Sequence, residues 1–193
     1  AITNLCTNPS FETDTTTPAN WTGSGLTTVT TTIASTYSRF GRKALQLVNT
    51  TANQDAYYYQ QIAGVSASTA YTISVWVYVA AFTAGAYSNR GIFAYDTANS
   101  GTTQQVATIT STTASWVRLS VTVNTTATPG SLHIRLYAPQ GTVYYDGVQI
   151  ETGSYASPYA DGSLGAGHSW SGTAHASTST RASGSRRTTS AVT

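Results

Sequence analysis

Charged side chains are scarce in this sequence. Asp, Glu, Lys and Arg together make up 8% of the 193 residues, whereas an average soluble domain contains about 25%. The formal net charge is +2, and much of the basic excess lies near the C-terminus, at Arg181, Arg186 and Arg187. Such a weak and local excess predicts no nucleic-acid partner. The low charge density suits an extracellular or particle-bound protein whose surface is solvated by hydroxyl groups.

Cysteine and long apolar runs are also nearly absent. The single cysteine, Cys6, cannot form an internal disulfide bond, and we interpret it as a small buried hydrophobic residue. No apolar stretch approaches the ~20 residues of a membrane-spanning helix, so we expect no membrane insertion. No signal peptide is visible at the start of the sequence.

Motifs of catalysis are missing as well. The seven acidic residues are widely scattered and form no local pair of the kind that glycosidases use. His133, His168 and His175 lack a metal-ligand spacing such as H-E-x-x-H. The sequence contains neither a G-x-S-x-G nucleophile turn nor a phosphate-binding glycine-rich loop. We therefore expect that the protein is not an enzyme.

Residues that favour β-strands are abundant instead. Thr and the 13 tyrosines pack well on pleated sheets, and apolar residues alternate with polar ones, as in Tyr71, Ile73, Val75 and Val77. The runs that predict strands are Leu26–Ile33, Ala44–Val48, Ala56–Ile62, Tyr71–Val79, Gly91–Tyr95, Gln105–Ile109, Ser115–Val123, Ser131–Tyr137 and Thr142–Ile150. They predict an all-β domain over residues 1–160, a two-sheet antiparallel jelly-roll sandwich.

The composition changes at Asp161. Residues 161–193 are rich in Gly, Ser, Thr and Ala and almost without aliphatic side chains. Such a segment cannot bury enough apolar surface to offset its ordering entropy. We therefore predict an irregular C-terminal extension that docks on a partner chain, with Trp170 as an aromatic anchor and Arg181 beside it as a docking residue.

Several segments together resemble a known family. They are NLCTNPSFET (Asn4–Thr13) followed by Trp21, GRKALQL (Gly41–Leu47), AYTISVWVYV (Ala70–Val79), SWVRLSVTV (Ser115–Val123) and VYYDGVQIETGSYASPY (Val143–Tyr159). This set resembles the jelly-roll carbohydrate-binding modules with a galactose-binding-like fold. The closing segment resembles the last strand of such modules in phage tail and tail-fibre proteins. HSWSGTAHASTSTR (His168–Arg181) is similar to the segment that follows this domain in minor tail proteins of actinobacterial phages.

The resemblance implies a structural cation, usually calcium, that ties the first strand of the domain to the last. Its ligands here would be Glu12 and Asp146 together with backbone carbonyl groups, because calcium takes six to eight hard oxygen ligands. Alternatively, the two carboxylates hydrogen-bond backbone amides and bind no cation.

The resemblance also implies sugar binding, which needs aromatic rings and planar polar groups. Alternation places the aromatic side chains of several strands on the faces opposite their apolar sets. The candidate ligand-binding residues are Tyr57, Tyr59, Gln61, Trp76, Tyr78, Tyr95, His133, Arg135 and Tyr137, which would form a concave surface on one sheet. The alternative is that these aromatic residues pack as a second layer or against a neighbouring subunit.

Two hypotheses for function remain. The first is a non-catalytic carbohydrate-binding or adhesion module of a phage tail or virion assembly that contacts a host polysaccharide or cell-surface glycan. The second is a purely structural tail, fibre or decoration protein of the virion without sugar binding. A module cut from a secreted glycosidase fits the closing segment less well. In both hypotheses we expect a virion or extracellular location, other virion proteins as partners and a homo-oligomer, the last by analogy at the level of the fold.

Overall fold

Alternating apolar residues build two five-stranded antiparallel sheets in this protein. The computed structural model describes residues 1–13, 16–85 and 89–184. Its strands are β1 (Ile2–Asn4), β2 (Thr22–Ser24), β3 (Val29–Ala34), β4 (Ala44–Asn49), β5 (Tyr57–Ile62), β6 (Ala70–Phe82), β7 (Arg90–Asp96), β8 (Gln105–Thr108), β9 (Val117–Asn124), β10 (Leu132–Tyr137), β11 (Gly141–Thr152), β12 (His168–Trp170) and β13 (Ser179–Arg181). One sheet has the order β2-β5-β10-β7-β8, and the other has the order β3-β4-β11-β6-β9.

The predicted fold class is confirmed. Each of the nine predicted runs overlaps one of the strands β3–β11, and the two sheets face each other as the layers of a sandwich. On β6, Tyr71, Ile73, Val75 and Val77 are buried, as the alternation predicts. They pack in one core with apolar residues of the facing sheet such as Ile134. Burial of each such aliphatic side chain contributes about 1.5–3 kcal/mol to folding.

The first predicted run begins later than the sequence indicates. Leu26–Thr28 form a 3-10 turn, and strand β3 starts at Val29. The turn follows Gly25, which has φ 66° and packs so closely on Asp55 that an added Cβ would lie 2.2 Å from its carbonyl oxygen. The chain therefore turns where its Thr-rich composition predicts a strand. A four-residue helix, α1 (Ser100–Thr103), lies between β7 and β8.

The first and last strands of the domain lie side by side, as the resemblance requires. Leu5 N donates to the carbonyl oxygen of Ile150 at 2.8 Å. The buried side chain of Asn4 strengthens this junction: its Oδ1 accepts from Ile150 N at 2.9 Å, and its Nδ2 donates to the carbonyl oxygen of Val148 at 2.8 Å.

The C-terminal extension contains a small hairpin of β12 and β13. Strand β13 pairs with β1, and the three strands form a third sheet in the order β1-β13-β12. The described part of the extension thus packs on the beginning of its own chain, where backbone pairing replaces the apolar burial that its composition lacks. Docking on a partner chain stays a prediction, and residues 185–193 lie outside the described residues. In the described part of the chain, no helix has the length and apolar character to cross a membrane.

Candidate functional site

Side chains from β5, β10 and β7 share the outer face of the first sheet. The register places Arg135 between Tyr59 and Phe93, and it places His133 between Gln61 and Tyr95. We call this surface the aromatic face, and it consists of Tyr57, Tyr59, Gln61, Phe93, Tyr95, His133, Arg135 and Tyr137. Seven of the nine predicted ligand-binding residues therefore lie together.

Three rings of the aromatic face form a stack across the strands. The imidazole of His133 is stacked between Tyr59 and Tyr95, with centroid distances of 4.7 Å and 4.9 Å and interplanar angles of 28° and 18°. These distances match the separation of neighbouring strands. The rings therefore stand side by side and cover one another's faces.

Arg135 is the centre of the hydrogen bonds on this face. Its Nε donates to His133 Nε2 at 3.4 Å, its Nη2 donates to the Tyr95 hydroxyl at 3.0 Å, and its Nη1 donates to the Tyr137 hydroxyl at 3.3 Å. The guanidinium carbon lies 4.3 Å from the centroid of the Tyr57 ring. These contacts hold a long, flexible side chain in one orientation.

His133 is neutral at physiological pH. Burial and the neighbouring charge of Arg135 lower the pKa of His133 to about 4. Because Arg135 Nε always carries a proton, we assign His133 Nε2 as the acceptor and place the imidazole proton on Nδ1. That nitrogen lies 3.2 Å from the Tyr95 hydroxyl and 3.2 Å from Gln61 Nε2. Because an amide nitrogen only donates, this assignment requires the Gln61 amide to be turned so that its oxygen faces Nδ1.

This assignment fixes the role of the Tyr95 hydroxyl. Its oxygen accepts one hydrogen bond from Arg135 Nη2 and one from His133 Nδ1. A phenol oxygen has two acceptor positions and one O–H donor. The Tyr95 O–H is therefore left to donate to a further acceptor, such as a sugar hydroxyl group.

Tyr137 has a different place from the predicted one. It is fully buried. Arg135 and Arg90 both donate to its hydroxyl group, and the Arg90 guanidinium lies over its ring. Burial raises the pKa of Tyr137, and the hydrogen bond from its hydroxyl to Asp55 raises it further. Tyr137 therefore supports Arg135 from below. Ligand contact by Tyr137 stays a prediction, which its full burial does not favour.

Trp76 and Tyr78 do not lie on the aromatic face, contrary to the prediction of one common surface. Both are on β6, in the second sheet, and point to the outer side of the sandwich. Trp76 packs under Arg39, whose guanidinium carbon is 4.4 Å from the indole centroid. Tyr78 stacks with Tyr37 at 4.5 Å. Alternation correctly separates these side chains from the core, but it does not indicate to which sheet their strand belongs.

The predicted ligand-binding set omitted residues on the outer faces of both sheets. Phe93 and Arg90 belong to β7 beside Tyr95, and Phe93 shares the period-2 spacing with Tyr95 that could have included it. Tyr37 lies in the loop between β3 and β4, where no periodicity applies, and it is 38% exposed over Tyr78 and Tyr144.

Glu12 and Asp146 hold the loop between β3 and β4. Asp146 Oδ2 accepts from the backbone N–H groups of Arg39 and Phe40 at 2.6 Å and 2.8 Å. Glu12 Oε1 accepts from those of Arg42 and Lys43, both at 2.9 Å. The contacts therefore match the alternative in which the carboxylates bind backbone amides.

The same two carboxylates also form an environment that a bound cation would stabilise. The pKa of Asp146 is raised to about 8, chiefly by burial and to a smaller extent by the negative charge of Glu12, although three backbone N–H donors act to lower it. Two carboxylates in this environment are hard oxygen ligands of the kind that calcium takes. Among the residues that the structure describes, no three His, Cys, Asp or Glu side chains form a group that could hold a metal, so any remaining ligands would be backbone carbonyl groups.

Trp170 and Arg181, the predicted docking residues, belong to the C-terminal hairpin. The Trp170 ring lies 4.8 Å from His175 and fits so closely on Gly162 that an added Cβ there would lie 2.4 Å from the indole. Arg181 lies opposite Ile2 in the register of β13 and β1. Trp170 thus packs within the extension itself, while β13 joins the extension to β1. A docking role of Trp170 and Arg181 on a partner chain stays a prediction.

Comparisons with known proteins agree with this architecture. The solved structures that are similar include the CBM22-1 xylan-binding domain of Paenibacillus barcinonensis Xyn10C, at 18% identity and a TM-score of 0.52, covering 81% of this chain and 100% of that one. TmCBM61 in complex with β-1,4-galactotriose has 17% identity, a TM-score of 0.52 and coverages of 78% and 99%. At these identities the similarity shows the fold alone.

A third similar structure is the enzymatically active domain of tailspike protein 4 of bacteriophage CBA120. It has 16% identity and a TM-score of 0.52, and the match covers 77% of this chain but 21% of the tailspike chain. Among curated protein sequences, none matches this chain. The family model described as "Carbohydrate binding domain" matches residues 3–142, which is well over half of the sequence. The chain therefore belongs to the carbohydrate binding domain family.

Proposed function

We propose that this chain is a non-catalytic carbohydrate-binding module of a phage tail or virion assembly and that it contacts host surface glycan through the aromatic face. The observation that supports this site best is the arrangement of Tyr95, His133 and Arg135. Their mutual hydrogen bonds leave the Tyr95 O–H to donate to a ligand. A face of this kind, on one sheet of a member of a carbohydrate-binding family, suits a polysaccharide.

The aromatic face is organised before any ligand arrives. The ring stack and the Arg135 contacts fix rotamers that would otherwise have to be ordered on binding, at about 0.5–1.5 kcal/mol for each side chain. Tyr59 and Tyr95 are half-buried and Gln61 is exposed, so amide and hydroxyl groups can reach a sugar. Similar structures have been solved as a xylan-binding domain and with bound β-1,4-galactotriose, which supports a polysaccharide rather than a single sugar.

The virion setting rests on different support. The segment Val143–Tyr159 resembles the closing strand of modules in phage tail proteins, and a phage tailspike domain is among the similar structures. The charge content of 8% fits a particle-bound surface. We therefore propose a virion or extracellular location, other virion proteins as partners and assembly as a homo-oligomer.

A structural calcium ion is part of the proposal. Glu12 and Asp146 would bind it, and its charge would compensate the Asp146 carboxylate, whose pKa is raised by burial and then by the nearby charge of Glu12. Both carboxylates hold the backbone of the loop between β3 and β4. The ion would therefore stabilise this loop against the last long strand and take no part in ligand contact.

A glycan array and a pull-down with host cell walls test the proposed function. Wild-type protein should bind polysaccharide, and the Tyr59→Ala variant should lose about tenfold in affinity, because it removes one ring of the stack. Tyr155→Ala is the matched control, since Tyr155 is 75% exposed and lies outside the aromatic face. If the wild-type protein binds no polysaccharide, the purely structural virion hypothesis is the better one.

A further inference from the structure

The aromatic face has a positive charge at its centre and uncharged groups around it. Arg135 is flanked on β5 by Tyr57, Tyr59 and Gln61 and on β7 by Phe93 and Tyr95. On its own strand it lies between His133, which is neutral, and Tyr137. The edge of the face holds one further cation, Arg90, and one carboxylate, Asp55, both beside the Tyr137 hydroxyl.

Arg135 has donors to spare. A guanidinium group has five N–H donors, and three of them donate to His133, Tyr95 and Tyr137. One N–H on each terminal nitrogen, Nη1 and Nη2, is therefore left over. In the described residues, no carboxylate hydrogen-bonds to this guanidinium.

This arrangement differs from that of an arginine with a structural role. A half-buried cation is normally compensated by a carboxylate, because removing its water without a counter-ion costs free energy. Here the partners are two phenols and an imidazole, all neutral. The planar guanidinium of Arg135 is held in place over the Tyr57 ring, and its geometry suits a planar anion that binds through two oxygen atoms.

We propose that the aromatic face selects acidic glycans and that Arg135 binds the carboxylate of a uronic acid residue. This inference rests on the proposed function, since it names the class of glycan for the same site. The stacked rings and the Tyr95 hydroxyl contact the neutral part of the chain. The carboxylate supplies a counter-ion in direct contact with Arg135, whereas Asp55, the carboxylate at the edge of the face, shares only the Tyr137 hydroxyl with it.

The test compares two polysaccharides with the same backbone, one with free carboxylates and one in which every carboxylate is a neutral methyl ester. Polygalacturonate and its fully methyl-esterified form are titrated into the full chain by calorimetry at low and high salt. Charge-assisted hydrogen bonds contribute about 1.5–3 kcal/mol, so polygalacturonate should bind about 10- to 100-fold more tightly at low salt. The preference should shrink as salt is added, because the face is partly open to solvent.

Variants test whether Arg135, rather than the overall charge of the protein, gives the preference for the acidic polymer. Arg135→Gln should bind both polymers equally, and Arg135→Lys should recover part of the preference because it keeps the charge but loses the planar group. Arg42→Gln is the control, since Arg42 is exposed on the loop between β3 and β4. A thermal melt of each variant establishes that it is folded.

The outcomes distinguish the two proposals. Equal affinity of wild-type protein for both polymers, or tight binding to neutral xylan or galactan only, overturns the acidic preference and leaves glycan binding intact. Binding to none of the polysaccharides overturns both proposals. A preference that persists unchanged in Arg135→Gln shows that another group reads the charge and overturns the assignment to Arg135.

Discussion

The guanidinium of Arg135 lies over the ring of Tyr57, with its central carbon 4.3 Å from the ring centroid. This pairing joins β10 to β5 on the surface of the sheet. It keeps the cation at a fixed height above the strands while three hydrogen bonds fix its direction. The pair therefore fixes the position of the positive charge on the aromatic face.

Replacing Tyr57 should release Arg135. A cation–π contact at a partly exposed site contributes about 0.5–1 kcal/mol, so Tyr57→Leu should weaken glycan binding about two- to fivefold, measured by calorimetry. Tyr57→Phe keeps the ring and should bind like the wild type. An equal loss in both variants would show that the Tyr57 hydroxyl matters and not the ring beneath Arg135.

The Tyr95 hydroxyl should contribute to affinity more than to stability. Tyr95→Phe removes the O–H that is left to donate to a ligand, and it also leaves two donors, on Arg135 and His133, without their acceptor. We expect about tenfold weaker binding, from a hydrogen bond of about 1–1.5 kcal/mol. The melting temperature should fall by less than about 4 °C. Unchanged affinity would contradict the hydrogen-bond assignment.

The pKa of His133 predicts how stability depends on pH. In the folded protein this pKa is about 4, whereas an unperturbed histidine has a pKa near 6.5. The unfolded chain therefore binds the proton more readily, and stability that is fully present above about pH 6.5 is lost as the pH falls towards 4. Urea unfolding between about pH 4 and 8 measures the free energy of unfolding of the wild type and of His133→Gln. We expect this free energy to fall less steeply with decreasing pH in the variant.

Glycan affinity should behave differently from stability over the same range. Because folded His133 stays neutral down to about pH 4, binding should be flat between about pH 5.5 and 8. A drop in affinity centred near pH 6.5 would mean that His133 titrates normally in the folded protein. That result would contradict its burial between Tyr59 and Tyr95.

Calcium should stabilise the fold through Glu12 and Asp146. At a concentration about 100 times its dissociation constant, a ligand adds about 2.7 kcal/mol, so calcium should raise the melting temperature by about 5 °C or more over a sample with chelator. Asp146→Asn should abolish the difference. Asp55→Asn is the carboxylate control, because Asp55 is exposed and its side chain hydrogen-bonds the Tyr137 hydroxyl, on the aromatic face. Identical melting curves with calcium and with chelator would contradict the proposed calcium ion.

The C-terminal hairpin should be dispensable for ligand binding. A chain of residues 1–164 keeps both five-stranded sheets and loses only β12 and β13, which pair with β1. We expect unchanged glycan affinity and a melting temperature lower by about 4–8 °C, which corresponds to a loss of about 2 kcal/mol. Loss of affinity would place part of the ligand site on the extension.

Much of the fold follows from the sequence because its signal is local. The apolar residues of β6 and β10 alternate over most of each strand, and burial of one face fixes the side to which each points. The four strands β1, β2, β12 and β13 have three residues each, too few for alternation to be recognised. Their pairing comes from tertiary contacts, such as that of Ile2 with Arg181.

The candidate site could be predicted only in part for the same reason. Alternation identifies Tyr59, His133 and Arg135 as outward-facing, but it does not reveal that their strands are neighbours while the strand of Trp76 belongs to the other sheet. Nor does it reveal that Tyr137 is covered by two arginine side chains. Both features depend on strand order and on long side chains folding over their neighbours.

The central claim is that glycan binds on the aromatic face. Titration of isotope-labelled protein with oligosaccharide, followed by amide chemical shifts, tests it most directly. The account predicts that the shifted amides cluster on Tyr57–Ile62, Leu132–Tyr137 and Arg90–Asp96, the strands β5, β10 and β7. Shifts clustered around Tyr37, Trp76 and Tyr78 on the opposite sheet, or no shifts at all, would contradict it.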